Sequence, residues 1–300
     1  MVSRIINAFK RNVGGILRPL FSLVYRTAVH RKFVSMVHFG HVPPAEYGFP
    51  TALIHVNDYW TMERWKFLWR GYDGESEFKQ MIDVVRDNTM VTYDGQLTLL
   101  SQARYCEENN IPGDYVEMGS WKGGCIGLMA LANLKYGKNR RTIHAFDSFE
   151  GLPGPNDKDF DDHFVDVFKI KKKDNAWEKE PIRDLVASQR DVESLVLDRI
   201  HYPQEKTRMY AGWFQDTLPA AAENIGQIAI LRLDGDLYVS YMVSLEYLYK
   251  KVVKGGFVII DDWIFKGCRD AVNEFFTRNG ATTPYLSTSD ATTRYFRKME

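Results

Sequence analysis

Apolar side chains recur along this chain in two different periods. Near the N-terminus Ile6, Phe9, Val13, Ile16, Leu17, Leu20 and Val24 fall at three- and four-residue steps, while Arg4, Arg11 and Arg18 recur at sevens on the opposite side. That spacing predicts an amphipathic helix with a basic face. Gly14, Gly15 and Pro19 weaken it. Each glycine costs about 1 kcal/mol of helix propensity and the proline removes a backbone donor, so the helix is expected to break in two. Residues 41–50, rich in proline and glycine, lead as a linker into a stretch carrying Tyr59, Trp60, Trp65, Phe67, Trp69 and Tyr72. Trp65 and Trp69 stand four apart, which places them on one helix face. A further helix is predicted over 97–109, stopping at Asn110 and Pro112.

After Gly113 the texture changes to short strands at 115–118, 142–146, 208–211, 228–233 and 256–260, with helical patterns at 122–136, 241–252 and 269–278. The runs at 228–233 and 256–260 are predominantly apolar, which suits strands buried on both faces of a parallel sheet. This alternation predicts an α/β fold with a doubly wound, mostly parallel sheet. Three segments are expected: a basic amphipathic arm over 1–45, a helical, aromatic-rich lid or substrate segment over 46–110, and the ligand-binding domain over 111–300. The stretch 156–173 carries Asp157, Asp159, Asp161, Asp162 and Asp166, followed by Lys169, Lys171, Lys172 and Lys173, and reads as a mobile surface insertion.

Composition narrows the function classes. Lys+Arg 39 against Asp+Glu 39 gives zero formal net charge over 300 residues, so no global field draws the chain to nucleic acid. The basic charge is local instead, since residues 1–45 contain no Asp or Glu. The arm can lie on an anionic membrane as a peripheral contact, or pack its apolar stripe on a partner subunit of a homo-oligomer or on its own core. Cys106, Cys125 and Cys268 are too few and scattered for a disulfide framework, which favours a reducing, cytoplasmic setting, with the inner membrane surface as the place for the arm. The apolar stretch near the N-terminus is cut by Arg18, Pro19 and Arg26, well short of the roughly 20 residues a spanning helix requires.

Chemistry concentrates at three strand ends. Glu117-Met118-Gly119-Ser120-Trp121-Lys122-Gly123-Gly124 joins the first strand to its helix, where glycine lets backbone approach a ligand and free N–H groups face it. The spacing is E-x-G-x-x-x-G rather than the G-x-G-x-x-G of dinucleotide sites, which argues against NAD. Asp147 ends the second strand, a position from which a carboxylate accepts both hydroxyls of a ribose, with Ser148 beside it; capping its own turn is the competing role. Asp234 and Asp236 end one later strand, and Asp261 and Asp262 the next. Four converging carboxylates repel one another unless a cation joins them, and an all-oxygen set selects Mg²⁺ or Ca²⁺ over zinc. Asp234, Asp261 and Asp262 are assigned as ligands, leaving Asp236 to take a proton. The competing role for these acids is to cap helices and pair with Arg232 or Arg269. Trp213 follows a strand at the same edge, where it could flank a bound adenine or the acceptor.

These segments, together with Asp147-Ser148-Phe149-Glu150-Gly151-Leu152-Pro153 and Gly212-Trp213-Phe214-Gln215-Asp216-Thr217-Leu218-Pro219, resemble the macrocin O-methyltransferase (TylF-like) family in five ordered motifs spanning about residues 89–280. The resemblance implies a class I methyltransferase fold and an enzyme that uses S-adenosylmethionine and Mg²⁺ to methylate a hydroxyl, with sugars on glycans or glycosylated metabolites as acceptors. By position it implies Asp234, Asp261 and Asp262 as magnesium ligands and Asp236 as general base. It also implies that Glu117, Gly119, Ser120, Gly123, Asp147, Ser148 and Trp213 lie at the cofactor. A catechol-type O-methyltransferase and a non-catalytic, membrane-associated cofactor-binding scaffold are the alternatives. The arm and the aromatic stretch fall outside the matching region.

Overall fold

The computed structural model describes residues 74–300, apart from 175 and 184. The basic arm and the aromatic stretch through Tyr72 lie outside the described residues, and with them the expectations about membrane contact and self-association. Among the described residues no helix is long and apolar enough to cross a membrane.

Two helices, α1 (Glu75–Val85) and α2 (Tyr93–Glu108), precede the first strand, β1 (Asp114–Met118). There follow α3 (Gly124–Tyr136), β2 (Ile143–Asp147), α4 (Asp162–Val167) and a small antiparallel pair, β3 (Lys172–Lys173) and β4 (Ala176–Trp177). Next come α5 (Gln189–Glu193), running on as a π-helical turn over Ser194–Arg199, and then β5 (Thr207–Ala211), α6 (Phe214–Asn224) and β6 (Ile228–Leu233). The chain closes with α7 (Tyr238–Leu248), β7 (Val252–Ile260), α8 (Lys266–Arg278), β8 (Ser287–Thr288) and β9 (Arg294–Arg297).

Seven strands form one sheet in the order β5-β2-β1-β6-β7-β9-β8. The first five are parallel, whereas β9 pairs antiparallel with β7 and with β8. Strand order therefore reverses between β1 and β6, the topological switch point at which open α/β sheets bind ligands. Register brings the strand ends level: Met118 pairs with Phe146 on one side and Leu233 on the other, and Leu233 pairs with Ile260. Whatever follows these residues emerges side by side.

Because side chains alternate along a strand, the two faces of β6 have different fates. Leu231 and Leu233 join Val116, Met118, Val258 and Ile260 in a core with Leu218 of α6, Tyr241 and Leu245 of α7 and Val272 of α8. Each fully buried aliphatic contributes about 1.5–3 kcal/mol. Arg232 turns the opposite way, toward the face where Tyr115 donates its hydroxyl to Glu107 of α2 at 2.6 Å. All six residues of β6 are buried, so the apolar ones offset the cost of carrying a guanidinium inside.

The stretch 156–173 differs from the mobile insertion expected. Asp159, 1% exposed, accepts hydrogen bonds from Tyr238 N at 2.6 Å and Asn156 N at 2.8 Å, while Asp161 caps α4 through Phe164 N at 2.7 Å. Phe164 is fully buried in the core. The acidic run is thus a set of backbone acceptors interleaved with an apolar anchor, and charge counting alone could not distinguish that from a solvated loop. The pair β8–β9 also escaped the sequence pattern, because both strands are short and flanked by polar residues.

Candidate active site

The turn after β1 needs glycine for a definite reason. Gly119 has φ 92°, and a Cβ there would sit 1.8 Å from the carbonyl oxygen of Asp234. The turn therefore passes directly against the end of β6. Gly123, with φ 84°, caps α3, and Gly119 N and Ser120 N both donate to Phe146 O at 2.8 and 3.0 Å. Asp147 holds the turn from β2: one oxygen accepts from Trp121 N at 2.7 Å and the other from Phe149 N at 2.7 Å. Burial raises its pKa and these N–H donors oppose the rise. Ser148 spends its hydroxyl in its own turn, donating to Gly151 O at 2.6 Å. Trp213 lies at the start of α6, next to Gly212, whose N–H donates to Asp147 O at 2.9 Å.

Glu117 faces away from this turn. It is 1% exposed, accepts from Ile126 N in the first turn of α3 at 2.8 Å, and lies 3.0 Å from Arg232 Nη1.

Across the switch point the four acidic residues converge. Ligand oxygens of Asp234, Asp261 and Asp262 all lie within 4.8 Å of one another. Asp236 occupies the left-handed region, with φ 58°, and donates its backbone N–H to Asp262 Oδ2 at 2.8 Å. Burial pushes Asp234 up to about 6 and Asp261 up to about 7, in both cases against the pull of Arg232. Asp236 and Asp262 are raised well above the ordinary carboxylate range, first by burial and then by neighbouring carboxylates.

Each member of the triad has one oxygen engaged by protein donors. Asp234 Oδ2 receives Arg232 Nη1 at 2.5 Å. Asp261 Oδ1 receives the Thr293 hydroxyl at 2.8 Å and faces Arg232 Nη2 at 2.9 Å. Asp262 Oδ2 receives Asp236 N at 2.8 Å and the Tyr241 hydroxyl at 2.9 Å. The carboxyls also meet one another, Asp234 with Asp261 and Asp236 with Asp262, within hydrogen-bond reach. Three converging carboxylates form an all-oxygen donor set that fits a hard divalent cation.

Arg232 binds Asp234 and Asp261, as the competing role for these acids envisaged, but Arg269 instead donates to the carbonyls of Trp263 and Ile264. Sequence reasoning did not find Thr293 or Tyr241. The hydroxyl of Thr293 reaches Asp261 only because β9 folds back along β7, and Tyr241 looks like any apolar-face aromatic. Arg232 did leave a signal, a lone charge in the apolar run Ile228–Leu233.

A doubly wound sheet with this strand order, a glycine turn after β1 and an acid closing β2 define a class I methyltransferase. The solved O-methyltransferase NovP resembles it, with a TM-score of 0.60 and 28% identity over 76% of this chain and 100% of that one. The chain belongs to the macrocin-O-methyltransferase (TylF) family, matched over residues 81–298. It is an S-adenosylmethionine-dependent O-methyltransferase. Among its relatives is the 8-demethyl-8-(2,3-dimethoxy-alpha-L-rhamnosyl)-tetracenomycin-C 4'-O-methyltransferase of Streptomyces olivaceus, 35% identical over 235 residues, which are 75% of this chain and 83% of that protein. Another is the mycinamicin III 3''-O-methyltransferase of Micromonospora griseorubida, 35% identical over 186 residues, 60% of this chain and 68% of that one.

Proposed function

We propose that this enzyme methylates a sugar hydroxyl on a glycosylated natural product, with Mg²⁺ held by Asp234, Asp261 and Asp262 and with Asp236 as general base. The observation that carries the metal assignment is the convergence of the triad, with one oxygen from each of Asp234, Asp261 and Asp262 within 4.8 Å of the others. The acceptor class is supported by the two relatives named for O-methylation of a rhamnosyl-tetracenomycin and of mycinamicin III.

A sugar hydroxyl is a poor nucleophile at neutral pH, so its proton must leave as the new bond forms. When bound, Mg²⁺ supplies Lewis acidity toward the acceptor oxygen and S-adenosylmethionine supplies an electrophilic methyl group. Asp236 accepts the proton on its carboxylate. Asp147 orients the donor: its two oxygens, fixed by the backbone N–H groups of Trp121 and Phe149, suit the two hydroxyls of a ribose. Gly119, Ser120 and Gly123 shape the turn along which the donor lies, with Ser148 and Trp213 on the Asp147 side. Glu117 acts from behind, through Ile126 N. Alignment of donor and acceptor contributes much of the remaining acceleration.

The test is metal removal combined with an acceptor panel. Chelation should abolish methyl transfer to glycosylated metabolites, read by mass spectrometry, and added Mg²⁺ should restore it, while S-adenosylhomocysteine still binds the chelated protein. Full activity after chelation would exclude the metal assignment, and methylation confined to aglycone phenols would exclude the sugar.

A further inference from the structure

Arg232 is 2% exposed and is the penultimate residue of β6, in contact with three carboxylates. Nη1 meets Glu117 Oε1 at 3.0 Å and Asp234 Oδ2 at 2.5 Å, and Nη2 lies 2.9 Å from Asp261 Oδ1 as an ion pair without hydrogen-bond alignment. Glu117 is itself anchored, since its other oxygen accepts from Ile126 N in α3. The guanidinium is therefore fixed from the helix side and presents two nitrogens, a rigid distance apart, to carboxylates from two strands. Thr293 shares Asp261 Oδ1 with it. Beside this group lies a cavity of about 10 Å³, room for one water, lined by Arg232, Asp261, Thr293 and Gln102, whose buried amide has no partner among the described residues.

We propose that Arg232 is a positioning residue for the metal centre: by holding Asp234 and Asp261 at one oxygen each, it fixes the two carboxylates in the arrangement that takes the ion. This rests on the metal assignment above. A simple counter-charge would act with the opposite sign, because a buried cation beside the site opposes the arrival of another. Groups behind metal ligands typically change metal affinity by about 10–100-fold when removed, by releasing the ligands they orient. Arg232→Lys separates the two roles, since lysine keeps the charge but replaces the fork with a single flexible point. Thr293→Val removes one donor to Asp261 at constant shape and charge.

The experiment is calorimetric titration of the full chain with MnCl₂, and separately with S-adenosylhomocysteine, for the native protein, Arg232→Lys and Thr293→Val, with circular dichroism on each. Manganese affinity should fall by about 10–100-fold in Arg232→Lys and by about tenfold in Thr293→Val. Affinity for S-adenosylhomocysteine should hold, which a general loosening of the fold would not allow. Manganese binding as tight as native, or tighter, in folded Arg232→Lys overturns the proposal. Should that variant not fold, native-like affinity in Thr293→Val overturns it equally. A native chain that takes up S-adenosylhomocysteine but no manganese removes the metal assignment itself, a different failure from bound metal that ignores both substitutions.

Discussion

Replacing Gly119 with alanine tests how closely the donor side of the site is built against the metal side. The added Cβ would lie 1.8 Å from Asp234 O, about 1.6 Å inside ordinary contact distance. Asp234 has little freedom to retreat, because its N–H donates to Met118 O at 2.8 Å and its carboxylate is held by Arg232. Alanine must also adopt the φ of 92° found here. A left-handed conformation costs an L-residue about 1–2 kcal/mol, and overpacking adds about 1–3 kcal/mol, for a total of about 2–5 kcal/mol. For a domain of this size that lowers the melting temperature by roughly 4–20 °C. Any relief displaces Asp234 as well, and a misplacement of about 1 Å costs on the order of 10²-fold in rate. The assay is urea denaturation and thermal melting, followed by turnover and manganese titration at a temperature where the variant is folded. Gly226→Ala is the matched control, since a Cβ there meets nothing within 4 Å. If Gly119→Ala melts and turns over like Gly226→Ala, the close approach of the turn to β6 is wrong.

Asp236→Asn should bind S-adenosylhomocysteine and manganese yet lose methyl transfer, and measurable native-rate turnover would remove Asp236 as the base. Asp234 and Asp261, raised to about 6 and about 7, bind more protons folded than unfolded. Their contribution therefore makes chelated protein less stable as pH rises from the ordinary carboxylate range near 4 through 7, and saturating Mg²⁺ should recover that loss above pH 7. Melting curves across pH, with and without Mg²⁺, check this, and a metal-independent profile contradicts it. Glu107→Leu should cost about 3–5 kcal/mol in urea denaturation, because Glu107 Oε1 accepts from Tyr115 at 2.6 Å, Arg141 at 2.7 Å and Asn133 at 2.9 Å. A loss typical of a surface pair, below about 1 kcal/mol, would mean that this buried network is not under stress.

Linear order alone determined a good deal of this protein. A strand that is buried on both faces must be apolar, so residues 228–233 and 256–260 announce themselves, and the acids that follow each run are adjacent to it in sequence. Local chemistry of this kind was enough to place the glycine turn, Asp147 and the four acids at strand ends, and the alternation of strands and helices implied the doubly wound sheet. What only the tertiary structure decided depends on register and on chain that returns from far away. Glu117 is one residue before Met118 and two before the turn, yet strand alternation points it to the face opposite Met118, at Ile126 N and Arg232. Thr293 meets Asp261 because an antiparallel strand lies beside β7, and the acidic stretch around Asp159 is fixed because Tyr238 N needs an acceptor. The pairings of Thr293 with Asp261, Asp159 with Tyr238 and Glu117 with Arg232 join residues 32 to 115 positions apart, and no periodicity within one segment encodes which distant group will satisfy a buried charge.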